Sequence, residues 1–297
     1  MADKEKFLAD LQSENKDLRF AAWRDAGTAP PETIPQLVRL ASEGNPGVAK
    51  AAREAITTMV HAAGKDPSDP RRASVVKHLI EALSAQVPSS AKAHLFRLLS
   101  LIAPEESSPE ISKWLSDADL REEAVFCLER LPGRAPLKAV AAAYRAAPTE
   151  FKPRLLAALG HRRAEEGIPL CLEVMRSGNK DLVLAATRAF GRIGGKPSGS
   201  VRFNEPAGLS EWEKIDYLDA QLRYADAQRD QGNHAEAIRI YKAYLDRPEP
   251  HWQCAAVIGI SRMGTAEAAA AIFPKLRSAD RTVRNTAVTA WQSMAKA

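Results

Sequence analysis

Residues Thr265–Ala297 read TAEAAAAIFPKLRSADRTVRNTAVTAWQSMAKA, and this stretch decides the fold. It holds two apolar patterns joined by Ser-Ala-Asp-Arg: Ala270, Ile272, Phe273 and Leu276, then Val283, Ala287, Val288 and Trp291. Steps of three and four residues place each set on one side of a helix. Asp280 stands where an N-cap belongs, its carboxylate able to accept from the free N–H groups of the helix that follows. Two short helices with such wide apolar stripes cannot bury them on each other alone, so the pair needs neighbours of its own kind.

The neighbours can be found by their spacing. The second helix opens with Asp or Asn, then Leu or Val three residues on, then Ala four after that. Asp280/Val283/Ala287 fits, as do Asn15/Leu18/Ala22, Asn45/Val48/Ala52, Asp117/Leu120/Ala124 and Asn179/Leu182/Ala186. The gaps between these marks are 30, 72, 62 and 101 residues, which are one, two, two and three steps of a unit of roughly 30–36 residues. Fainter copies fill the missing steps at 74–103, 135–160 and 249–263. The large residue fills the space between paired helices, and the Ala lets the next helix approach closely.

These residues resemble the HEAT-repeat family, including the short bacterial variety also seen in phycobilisome lyases. An Asp in the turn and an Arg one residue after the apolar position recur there. Asp280 with Arg284 and Asp117 with Arg121 match both, and Asn15 with Arg19 matches in part; Ala49 and Val183 depart from the pattern. A second resemblance lies in Gly232–Leu245, which looks like the second helix of a tetratricopeptide repeat: Gly232 at the turn, Ala237 at close packing, Tyr241 and Leu245 behind it. Gln221 and Gln228 stand where that family has large apolar residues. The expected fold is therefore all-α, a right-handed α-α superhelix of about eight helix pairs. The expected organisation is a HEAT-like array over 1–193, a Gly/Pro-rich loop or hinge over 194–209, and a tetratricopeptide-like unit with further HEAT-like repeats over 210–297.

The chain is 297 residues long and 45% apolar, with 6% aromatics. A repeat array accommodates this length because each unit touches only its neighbours. No run of about 18 apolar residues marks a membrane span, and the start MADKEKFLADLQ lacks the apolar centre of a secretory signal. The net charge is +5 and the pI near 9.1, but basic residues are interleaved with acids rather than gathered on one face. Cys127, Cys171 and Cys254 stand alone in separate units and read as small core residues of a cytoplasmic protein. No zinc, triad or cofactor pattern occurs, and Gly195-Lys196 followed by Pro197 is no P-loop. His161-Arg162-Arg163 and Arg71-Arg72 are the local basic clusters.

The concave side of such an array is its default binding surface. Stepping the register along the second helices gives three rows: Phe20, Lys50, Glu122, Leu184 and Asn285; Trp23, Arg53, Val125, Thr187 and Val288; Arg24, Glu54, Phe126, Arg188 and Thr289. From these, Phe20, Trp23, Arg24, Lys50, Arg53 and Arg188 are the candidate binding residues. The rows are mixed in chemistry, which suits a protein or peptide partner acting on a non-catalytic scaffold or adaptor. Two alternatives remain open: a nucleic-acid-binding protein resembling the HEAT-like alkylpurine DNA glycosylases, and a chromophore lyase-like protein.

Overall fold

The computed structural model describes residues 4–195, 199 and 201–295. They form seventeen α-helices and short 3-10 turns, with no strand among the described residues. The chain packs as two units, 1–147 and 148–297. That boundary falls between the two helices of the pair expected at 135–160.

The first unit contains α1 (Lys4–Gln12), α2 (Lys16–Arg24), α3 (Ile34–Glu43), α4 (Pro46–Gly64), α5 (Arg71–Leu83), α6 (Ser89–Ile102), α7 (Ser108–Ser112), α8 (Arg121–Arg130) and α9 (Ala135–Ala143). The second helices form a row in which α2 packs on α4, α4 on α6 and α6 on α8, while α3 packs on α5 in the other layer. Helix α4 carries much of this core. Val48, Ile56, Met59 and Val60 are buried on it, each contributing about 1.5–3 kcal/mol by removal from water.

The second unit contains α10 (Lys152–His161), α11 (Ile168–Val174), α12 (Lys180–Ile193), α13 (Glu211–Asp230), α14 (His234–Leu245), α15 (Pro250–Ser261), α16 (Ala266–Ile272) and α17 (Arg281–Met294). Here α10 packs on α12, α12 on α13, α13 on α14, α14 on α15 and α15 on α17. Small residues set the spacing. A Cβ on Gly160 would lie 2.8 Å from the Ala189 Cα, and one on Gly191 would lie 2.3 Å from the Ala220 carbonyl oxygen.

All five marked Asp/Asn residues accept backbone N–H groups at a helix-opening turn. Asn15 takes that of Asp17 (2.9 Å), Asn45 that of Val48 (3.0 Å) and Asn179 that of Leu182 (3.1 Å). Asp117 takes two, at 2.9 and 3.1 Å, and Asp280 two, at 2.8 and 2.9 Å. Two of the turn arginines act on carbonyls. Arg19 donates to Ser13 and Glu14 (2.5 and 2.9 Å), and Arg284 donates to Ser278 and Ala279 (2.6 and 3.3 Å).

Several expected core positions differ. Leu18 is 47% exposed and no residue of α2 is buried, because α2 has α4 on one side and no helix stacked opposite. The apolar pattern at 266–277 is not one helix: α16 stops at Ile272 and a 3-10 turn runs over Phe273–Arg277. Pro274 has no N–H to continue the ladder, and Phe273 is left 51% exposed, packed at 5.6 Å against Trp291.

In the expected hinge, positions 196–198 and 200 lie outside the described residues, and with them most of the stretch inspected as a P-loop. The rest is fastened to its own unit. Gly194 ends α12 with a φ of +64°. Gln228, buried on α13, donates to the carbonyls of Gly194 (2.8 Å) and Gly195 (3.3 Å), which accounts for glutamine where an apolar residue was expected. Val201 donates to Glu236 (3.2 Å) and accepts from Arg239 (2.7 Å). In the α13–α14 hairpin Gly232 has a φ of +75°, and Ala237, Tyr241 and Leu245 are buried.

Candidate functional site

Helix α2 brings three of the predicted residues together. Phe20 and Trp23 meet edge to face, with ring centroids 5.0 Å apart and planes at 83°. The Arg24 guanidinium lies 5.8 Å from the Phe20 centroid, within reach of the ring's negative face. Arg24 is also paired with Asp25 (2.7 Å), whose carboxylate raises the Arg24 pKa while its own is lowered by the guanidinium. Phe20 is 49% exposed, so the cluster offers an aromatic surface with a cation at its edge.

Lys50 and Arg53 follow on α4, both exposed. Arg53 donates to the Ala41 carbonyl in the last turn of α3 (3.1 Å). It lines a cleft of about 220 Å³ with His94, Ser42 and Ser90, backed by aliphatic side chains and free of acids. The His94 ring nitrogen lies 3.5 Å from the Thr57 hydroxyl. Burial lowers the His94 pKa, with Arg53 and then Arg97 adding to the effect, so the imidazole is neutral at pH 7 beside two fixed cations. His94 and Arg97 escaped sequence reasoning because α6 carries no cap–Leu–Ala mark from which to register its faces.

Arg188 is held by its own unit. It lies on α12 in the second unit and is ion-paired with Asp216 of α13. Its neighbours in the predicted rows, Leu184 and Thr187, are buried, as is Val125 of α8; these cannot line a surface, since α12 is packed by both α10 and α13.

The basic spot at Arg71–Arg72 is spent on the fold. Arg71 is paired with Asp69 and donates to the Gly27 carbonyl, and Arg72 donates to the Ile102 carbonyl at 3.0 Å. Beside it opens a groove of about 860 Å³ on α5, walled by Pro67, Pro70, Pro104 and Pro132 with Val76 and Ile80. It is larger than the His94 cleft, yet its rim charges are mutually paired, Lys77 with Glu81 and Glu110 with Lys113. Among the described residues, no His/Cys/Asp/Glu group is arranged to hold a metal ion, and no helix is long and apolar enough to cross a membrane.

No protein-family model and no curated protein matches the chain. Among solved structures, an engineered protein matches over 99% of this chain and 89% of its own, at 17% identity and a TM-score of 0.44. A Kap121p mutant matches over 96% of this chain, at 13% identity and a TM-score of 0.54. The chain spans 37% of that protein's length. At this identity the likeness concerns the fold alone, and that fold is an all-α helical repeat.

Proposed function

We propose that the chain is a non-catalytic interaction scaffold of the HEAT-repeat kind, acting in the cytoplasm and binding another protein or peptide along its second helices. One observation carries the reading: Phe20, Trp23 and Arg24 form an exposed aromatic–cation cluster on a helix with no buried residue. Aromatics and arginine are the residue types that dominate protein interfaces, and α2 packs on α4 without fully burying any of its residues. The cations Lys50 and Arg53 on the adjoining helix, and the neutral His94 cleft, extend this face with polar contacts.

The test compares the full chain with its Phe20→Ala/Trp23→Ala form, each immobilised and challenged with native lysate, with bound proteins quantified by mass spectrometry. Loss of two such anchors, at about 2 kcal/mol or more each, lowers capture of a true partner by well over tenfold. Identical bound sets from two forms of equal helicity would remove α2 from the binding surface and the scaffold reading with it.

A further inference from the structure

A second surface, in the second unit, has a different chemistry. Between α15 and α17 runs an open groove of about 690 Å³. Its lining includes Arg262, Arg281, Thr282, Asn285 and Thr289, with Ile258 as an apolar spot, and none of its lining residues is acidic. These five polar side chains are all exposed. Among the described residues none of the five has a hydrogen-bonding or ion-pair partner for its side chain. Several other arginines are committed to the fold. Arg71, Arg72, Arg188, Arg19 and Arg284 are all held by carboxylates or carbonyls, and the remaining hydroxyls of this groove donate to their own backbone or to Cys254.

We infer that this groove binds an acidic peptide segment, a deepening that rests on the reading of the chain as a protein-binding scaffold. Two exposed guanidinium groups in a groove whose lining holds no acid favour negatively charged side chains through charge-assisted hydrogen bonds. The Asn285 amide both donates and accepts, and Thr282 and Thr289 do likewise, so the wall between the arginines matches the alternating N–H and C=O groups of an extended backbone. Exposed Ile258, at 43%, gives a small apolar contact that a free inorganic anion would not use. A nucleic-acid strand fits less well. No aromatic side chain lines the groove to stack a base, and two cations do not make a track for a phosphate backbone.

The experiment uses the full chain and a fluorescein-labelled twelve-residue polyglutamate, followed by fluorescence anisotropy at low and physiological salt. A polyglutamine peptide of the same length and a twelve-nucleotide oligothymidylate are compared. The expected result is saturable polyglutamate binding that weakens with salt. It weakens about fivefold in Arg262→Gln or Arg281→Gln and roughly twentyfold or more in the double variant. Asn285→Asp, which sets a negative charge against the polyglutamate without touching the core, weakens it as well, and polyglutamine does not bind. The inference is overturned if wild type does not bind polyglutamate, or if the arginine variants bind it as wild type does. It is also overturned if oligothymidylate binds more tightly through the same two arginines. The Phe20→Ala/Trp23→Ala form binds polyglutamate like wild type, so failure of this groove and failure of the α2 surface are read separately.

Discussion

Replacing Gly191 by Ala tests the packing on which the second unit depends. Gly191 lies within α12, where alanine is the better helix former by about 1 kcal/mol. On propensity alone Gly191→Ala would stabilise. The structure reverses the sign. A Cβ there would sit 2.3 Å from the Ala220 carbonyl oxygen, 3.0 Å from its carbon and 3.2 Å from its Cα. The obstacle is backbone in the middle of α13, a helix anchored by buried Tyr217, Leu218 and Tyr224, so no side chain can swing aside. The two helices must separate by about 1 Å, and overpacking of this kind costs about 1–3 kcal/mol. Taking the upper end because backbone must move, and subtracting the propensity gain, leaves a net loss of about 2 kcal/mol. For a unit of this size that lowers Tm by about 4–8 °C, measured by circular dichroism at 222 nm. Gly178→Ala is the control. No atom lies within 4 Å of its Cβ position, so it melts with wild type or slightly above it. A Gly191→Ala protein melting at or above the wild-type temperature would refute the close approach of α12 and α13.

Three further outcomes follow from local chemistry. Asp280→Ala removes the acceptor of two backbone N–H groups at the start of α17 and costs about 1 kcal/mol in urea unfolding, whereas Asp280→Asn retains most of it. The Glu213 carboxyl is held at about 2, below its ordinary 4.5, first by Lys180 and then by the Ser210 amide and hydroxyl. A depressed folded value stabilises above the unfolded pKa and is lost on acidification. The Tm gap between wild type and Glu213→Gln is therefore full above about pH 5 and closes toward pH 2. Burial pushes the Cys127 and Cys171 thiols up to about 12. An aromatic disulfide reagent thus labels only half-buried Cys254 in the native protein and all three thiols after unfolding.

The sequence made the second helices legible because an N-cap is a local device. Asn15, Asn45, Asp117, Asn179 and Asp280 need only their own turn, and each accepts the bond its position implies. First helices have a mark of their own that the cap pattern does not show. Glu32-Thr33-Ile34-Pro35, Glu106-Ser107-Ser108-Pro109 and Glu166-Gly167-Ile168-Pro169 each enter a helix from a 3-10 turn with Pro in the first turn. Helical period says which residues share a side; it does not say whether a helix lies against that side. Leu18 keeps the spacing of Val283 yet faces water, and Val125 and Thr187 share a row with Trp23 yet are buried. Gln228 could not be understood locally either, since its partners, the carbonyls of Gly194 and Gly195, lie more than thirty residues away.

The same distinction decides what the chain's charge means. A pI near 9.1 invites a nucleic-acid reading, for which Arg53 and Arg188, both candidate surface arginines, would be the natural phosphate contacts. Arg188 is neutralised by Asp216, and Arg53 donates to the end of α3. The tandem at Arg71–Arg72 and the turn arginines Arg19 and Arg284 are bonded to carboxylate or carbonyl oxygens. Most of these arginines close turns and helix ends, where carbonyls would otherwise go unpaired. Two small places of different character are the candidate binding surfaces: aromatic with one paired cation on α2, and hydroxyl-rich with two exposed guanidinium groups between α15 and α17. Neither is a continuous basic stripe of the kind that follows a phosphate backbone. Each has the size and mixture of groups that a segment of another protein fills.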